Sequence, residues 1–153
     1  MRISAKADYA VRAAAELAAA SPGGQPVKGE QLAAAQEIPP RFLENILADL
    51  RNAGLLSARR GADGGYALTR DPSEISVAEV LRAVEGPLAA VQGSRPERLQ
   101  YQGAAARLPE VWVALRANLR AVLERVTLAD LALGELPESV VALTTGADAW
   151  QPH

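Results

Sequence analysis

Residues 38–70 carry the feature that most narrows what this chain can fold into: a proline-opened amphipathic helix that runs straight into a glycine-tipped hairpin. Pro39-Pro40 suits a helix start, because the fixed φ of proline fits the first helical position and its missing N–H would be unpaired there anyway. Gly54 marks the end. Between them Phe42, Leu43, Ile46, Leu47 and Leu50 recur at the spacing that stacks side chains on one face of a helix, and that face is assigned to the core. The opposite face carries Arg41, Asn45, Ala48 and Asn52, with Glu44 beside them. Such a face can read base edges: Arg forks onto guanine, Asn pairs twice with adenine, Glu accepts from cytosine, and a small Ala lets a helix lie deep in a major groove. Polar outer faces are also the rule for surface helices, so a solvated face is the competing reading of this helix alone.

The hairpin adds weight to the first reading. Leu55 to Arg60 and Tyr66 to Arg70 are strand-like runs, and Gly61-Ala62-Asp63-Gly64-Gly65 between them supplies residues that accept positive φ at a tip. Arg59 and Arg60 sit at its base, and from Arg51 to Arg70 the basic residues Arg51, Arg59, Arg60 and Arg70 face one acid, Asp63. An arginine on a projecting hairpin can enter a minor groove or hold phosphates. A structural turn with solvated charges is the alternative. No Gly-Lys-Ser/Thr follows the glycines and no strand leads into a helix there, which argues against a nucleotide-binding loop.

Four ordered segments now resemble the Rrf2 family of bacterial winged-helix transcription regulators. They are Ser4-Ala5-Lys6-Ala7-Asp8-Tyr9-Ala10-Val11-Arg12, Ile38-Pro39-Pro40-Arg41-Phe42-Leu43-Glu44, Arg60-Gly61-Ala62-Asp63-Gly64-Gly65-Tyr66, and Ala83-Val84-Glu85-Gly86-Pro87-Leu88. The resemblance continues more loosely to about Leu133. It implies a mainly α fold with a small β-hairpin: a winged helix-turn-helix domain over residues 1–86, a loop over 87–107, a dimerisation helix and short final helix over 108–134, and a loosely ordered tail over 135–153. The expected function is a homodimeric regulator, a repressor, reading a pseudo-palindromic operator in double-stranded DNA. Arg41, Glu44 and Asn45 are assigned to base edges and Arg60 to the minor groove. Arg59 and the backbone of Gly61, Gly64 and Gly65 are assigned to phosphates.

The remaining elements follow from local signals. Ser4 caps a first helix with Ala7, Ala10, Val11, Ala14, Leu17 and Ala18 as its buried stripe, ended by Ser21-Pro22-Gly23-Gly24. Lys28 to Gln36 is a short helix with Leu32 and Ala35 inward, then a break at Glu37-Ile38. Ser76-Val77-Ala78-Glu79 reads as a capping box, launching a helix with Val77, Val80, Leu81 and Val84 on the core side until Gly86-Pro87. Pro87 to Arg107 is a loop anchored only by Leu88, Val91, Leu99 and Tyr101. The best-known family members hold an iron–sulfur cluster there on three cysteines, and in one branch an N-terminal Asp, matched by Asp8, joins them. This chain has no cysteine, and a lone carboxylate cannot hold such a cluster, so no cofactor or metal is expected and Asp8 is assigned a hydrogen bond or ion pair.

From Leu108 to Val126, the residues Leu108, Trp112, Leu115, Leu119, Val122 and Val126 form an a/d seam, opened by Pro109. A self-pairing helix explains the pattern, with Trp112 as an interface anchor; an intramolecular strut is the alternative, since Val111 and Leu123 widen the stripe. Thr127 starts a last short helix with Leu128 and Leu131 inward, ended by Gly134.

Composition closes off other classes. With 4% aromatics and abundant alanine, the core must be close helix-on-helix packing. A net charge of −2 argues against broad affinity for polyanions, so nucleic-acid binding needs a local patch. There is no apolar run near the ~20 residues of a membrane span, and Met1-Arg2-Ile3 leads into no signal-peptide core, so a cytoplasmic location is expected. The sole histidine is His153, which leaves no Ser-His pair and no His-bearing metal site, and no enzyme activity is expected. Two variants stay open: a winged helix that binds protein rather than DNA, and a regulator that senses an unidentified small-molecule effector.

Overall fold

The Ser4 hydroxyl accepts a hydrogen bond from the Ala7 amide at 3.0 Å and opens helix α1 (Ala5–Ala20) in the computed structural model, which describes residues 2–152. The buried face of α1 is Ala7, Ala10, Ala13, Ala14, Leu17 and Ala18. Methyl-sized side chains let other helices come close, and α1 becomes the hub against which most of the fold packs. Val11, expected in the stripe, is only half-buried, and Ala13 takes its place.

Helix α2 (Gly29–Gln36) and helix α3 (Pro40–Asn52) form the helix-turn-helix. Glu37, in the left-handed conformation at φ 52°, turns the chain between them and delivers Ile38 to the core. On α2 Leu32 is inward as expected, but its partner is Ala33; Ala35, assigned to the core from sequence, is exposed. On α3 the core face is Leu43, Ile46, Leu47 and Leu50. Phe42, assigned to that face, is 52% exposed instead: it sits at the stripe's edge, with Tyr9 packed edge-on against it at 6.1 Å.

The wing is an antiparallel hairpin of β1 (Leu56–Arg59) and β2 (Gly65–Leu68), with Leu56 opposite Leu68 and Arg59 opposite Gly65. Its strands are shorter than the sequence reading gave. A contact with no sequence signal braces its tip-side half: the Val27 amide donates to the Tyr66 carbonyl and the Tyr66 amide to the Val27 carbonyl, each at 2.8 Å.

Helix α4 (Val77–Glu85) opens on the expected capping box, with Ser76 and Glu79 each accepting from the other's amide, and ends at Gly86, φ 81°. Leu81 is half-buried. Between 87 and 107 two 3-10 turns occur, Pro96–Arg98 and Gly103–Ala105. Pro96 is fully buried, an anchor beyond the four named from sequence. Helix α5 (Leu108–Leu123) stops three residues before Val126.

Val126 is not part of a free seam. It is buried in its own chain, and residues 126–128 run antiparallel to 75–77: Val77 donates to the Val126 carbonyl at 2.8 Å and Leu128 to the Ile75 carbonyl at 2.9 Å. Helix α6 (Leu128–Leu133), capped reciprocally by Thr127 and Asp130, then lies on α1 with Leu128 completely buried in the same cluster as Leu17 and Ile75. The winged core therefore does not close at residue 86; its last layer arrives some forty residues later. Beyond Gly134 the tail contains α7 (Glu138–Val141) and two 3-10 turns, and the Trp150 indole donates to the Thr144 carbonyl at 2.7 Å. These turns are mostly exposed and contact mainly one another.

Candidate nucleic-acid interface

The outer face of α3 presents Arg41, Glu44, Asn45 and Asn52 to solvent, with Ala48 half-buried between them. Asp49 is drawn to α1 by Lys6, whose ammonium lies 2.7 Å from its carboxylate. That leaves Glu44 as the acid of the exposed face.

Wing geometry depends on its glycines. Gly61, at φ 104°, starts the tip, and the Gly64 amide donates to the Gly61 carbonyl at 3.0 Å to close it. A Cβ on Gly64 would stand 2.2 Å from the Arg59 carbonyl oxygen, and one on Gly65, at φ 144°, would stand 2.6 Å from that of Val27. No side chain fits at either distance. Gly64 is buried and its amide is used within the tip, so it builds the wing and is not free to hold a phosphate as the sequence reading assigned. Gly65 likewise serves the approach of Val27, whereas Gly61 remains exposed at the tip.

The charges sort themselves by pairing. Arg70 is committed to the base of α4, reaching Glu79 at 2.6 Å and the Glu74 carbonyl at 3.2 Å. Burial alone would raise the Glu79 carboxyl, but the Ser76 amide and Arg70 together outweigh it and hold that carboxyl below the usual range. Arg41, Arg51, Arg59 and Arg60 form no ion pair with any described residue, and all four are exposed. Between α2, α3 and the wing lies a cleft of about 750 Å³ with Lys28, Pro40, Glu44, Gly61 and Tyr66 on its walls, so the reading helix and the wing are two sides of one groove. Lys28 was not picked out from sequence; only its place in the fold sets it beside the wing.

On α5, Leu108, Trp112, Leu115, Leu119 and Val122 are each half-buried by their own chain, and none is fully covered. The Trp112 indole nitrogen is buried without a hydrogen-bond partner, and Val111 on the same helix is 56% exposed. Asp8 takes the modest role expected of it, pairing with Arg12 at 3.0 Å while that guanidinium stacks over Tyr9.

Comparison with known proteins agrees with this architecture. The profile of a family described as "Rrf2: Iron-dependent Transcriptional regulator" matches residues 3–133. The iron of that description finds no fit here: the chain has no cysteine, its one histidine, His153, lies outside the described residues, and the one carboxylate in the 87–107 segment, Glu97, is paired with Arg116. Among the described residues no cluster of His, Cys, Asp or Glu could hold a metal. Rv1287 of Mycobacterium tuberculosis, named as a candidate HTH-type transcriptional regulator, is 53% identical over 143 residues, 94% of this chain and 88% of that protein. The HTH-type transcriptional regulator CymR of Bacillus subtilis is 36% identical over 132 residues, 86% of this chain and 90% of its own. The solved structure of CymR, titled the global cysteine regulator of B. subtilis, superposes with a TM-score of 0.73 at 34% identity, covering 88% of this chain and 98% of that one. The structure of IscR from T. potens gives 0.68 at 29% identity, covering 100% and 93%. These relatives are regulators and not enzymes, and no described helix is long and apolar enough to cross a membrane. The helix-turn-helix, the glycine-built wing and these matches over most of the chain together place it in the Rrf2 family of DNA-binding, winged-helix transcription regulators.

Proposed function

We propose that the chain works as a cytoplasmic homodimeric repressor on a pseudo-palindromic operator, with one α3 in each major groove and one wing at each flanking minor groove. The observation that carries this reading is the set of four unpaired, exposed arginines, Arg41, Arg51, Arg59 and Arg60, on the helix and wing of a chain whose net charge is −2. Arg41, Glu44 and Asn45 contact base edges, Arg60 enters the minor groove, and Arg59 with the Gly61 backbone holds phosphates. Two subunits meet along the half-covered apolar face of α5, where Trp112 supplies the largest contact. Repression by occupancy asks nothing of the protein beyond this DNA surface and a dimer.

Fluorescence anisotropy on DNA upstream of the chain's own gene, with a scrambled duplex as control and salt varied, tests the reading. Specific binding that weakens steeply with salt is expected, because each phosphate contact releases counterions. Arg60→Ala should cost about 1–3 kcal/mol of that affinity. Failure on this fragment and on a random-sequence selection would hand the assignment to a winged helix that binds protein.

A further inference from the structure

Arginines crowd a second place, whose walls include no residue of α3 or the wing. Where the end of α4 meets the start of the 87–107 segment and α5, a cleft of about 470 Å³ is lined by Arg82, Arg95, Arg116 and Arg120. Pro87 and Leu88 give it one apolar wall, and Glu97 is its acid. The ion pairs within it do not balance. Arg116 reaches Glu97, while Arg82 and Arg120 share the single carboxylate of Glu124, the latter at 2.9 Å. Arg95 has no ion pair at all, although its charge is felt at Glu97. Four guanidinium groups thus meet two carboxylates, a local surplus of two positive charges in an acidic chain. Like charges gathered around a concave space repel one another unless something anionic fills it.

We propose that this cleft binds a small organic anion carrying two or more carboxylate or phosphate groups, with its short hydrocarbon portion against Pro87 and Leu88. Arg95 supplies the unengaged planar fork that such groups match in bidentate fashion. The surplus charge on the Arg82, Arg120 and Glu124 cluster supplies the second contact. Arg82 belongs to α4, which is built into the winged core, whereas Arg116 and Arg120 belong to α5. A bound anion therefore competes with Glu124 for Arg82, which ties the end of α5 to the winged core, and with Glu97 for Arg116, which ties α5 to the 87–107 segment. Its action as an effector rests on the regulator reading above; its binding does not.

The test is isothermal titration calorimetry of the full chain without DNA, using citrate and inorganic pyrophosphate as separate probes at constant ionic strength, which distinguishes carboxylate from phosphate recognition. Saturable binding of at least one probe, at one site per chain and with Kd below about 1 mM, is expected. Arg95→Gln should weaken it about tenfold while the thermal melt stays unchanged, since Arg95 holds no ion pair, and Arg120→Gln should weaken it similarly. Arg107→Gln removes the same charge from an exposed arginine outside the cleft and should leave binding as it was. Absence of saturable binding for both probes overturns the site, as does equal weakening by Arg95→Gln and Arg107→Gln, which would mark a diffuse ion atmosphere. Operator anisotropy in the same buffers keeps the two readings apart: DNA binding with silent calorimetry refutes the cleft alone, and calorimetric binding without any DNA affinity refutes the regulator reading alone.

Discussion

Leu128→Ala is the substitution whose effect the fold most sharply fixes. Leu128 is the first residue of α6, fully buried in the cluster that also holds Leu17 and Ile75, although some forty residues separate it from the rest of that core in sequence. Truncating a buried Leu to Ala removes its transfer free energy and leaves a cavity, for about 2–5 kcal/mol. Alanine's better helix propensity returns only a few tenths of a kcal/mol, so packing decides the sign. Contacts on several sides make full collapse of the site difficult, and a loss of about 3–4 kcal/mol is expected, a large share of the roughly 5–15 kcal/mol that stabilises a domain. For a chain of this length that is a fall in Tm of about 10 °C. The assay is thermal unfolding followed by circular dichroism, with Leu133→Ala as control. Leu133 is on the same helix but 73% exposed, and its truncation should stay within about 0.5 kcal/mol. Equal, small shifts for the two variants would refute the claim that α6 completes the winged core.

Other expectations follow from single contacts. Gly64→Ala places a methyl group against the Arg59 carbonyl, so the tip must open; about 1–3 kcal/mol of stability and part of the DNA affinity should go together, and an unchanged melt with unchanged anisotropy would contradict the wing geometry. Trp112→Ala should move the protein toward monomer in sedimentation velocity, whereas an unaltered mass would place the α5 seam inside one subunit. Glu79 has a depressed folded-state pKa, so its contribution is complete above the ordinary carboxylate range and fades as pH falls through the folded value. Glu79→Gln should accordingly flatten the acid limb of the stability profile, and a profile of unchanged shape would remove Glu79 from the acid response.

Local signals were legible in the sequence wherever local physics decided the outcome. Pro39-Pro40, the Ser76 capping box, the helix start at Thr127 and the apolar spacing of α3 from Leu43 to Leu50 each act within a turn or two of helix, and the structure has them where the sequence put them. What escaped notice depends on distant neighbours. Phe42 lies at the edge of the apolar face, and with Tyr9 edge-on against it still leaves half its surface exposed. Whether Ala33 or Ala35 faces inward turns on how α2 leans against α1, which periodicity in eight residues does not specify. The burial of Val126 and Leu128 needs the 75–77 segment beside them, and no pattern announces a pairing between two such short, irregular segments. At the candidate interface the exposed residue types were readable, yet the division between pairing and freedom was not: Arg70 looks like Arg60 in sequence and differs only because Glu79 lies in reach.

The double hydrogen bond between Val27 and Tyr66 bears on how a signal could act. Val27 stands just before α2, so it fastens the tip-side half of the wing to the helix-turn-helix, and Gly65 is pressed against that same residue. Hinging at the root of the hairpin would break both bonds and uncover the glycine, so the wing and α3 travel as one stiff caliper jaw. In the homodimer proposed above, regulation that leaves each jaw intact has only the gap between the two jaws to adjust. A ligand would then alter which half-site spacings are tolerated while the base preferences inside each half-site stay the same, and a selection on spacer length would reveal a signal that a selection on sequence would miss.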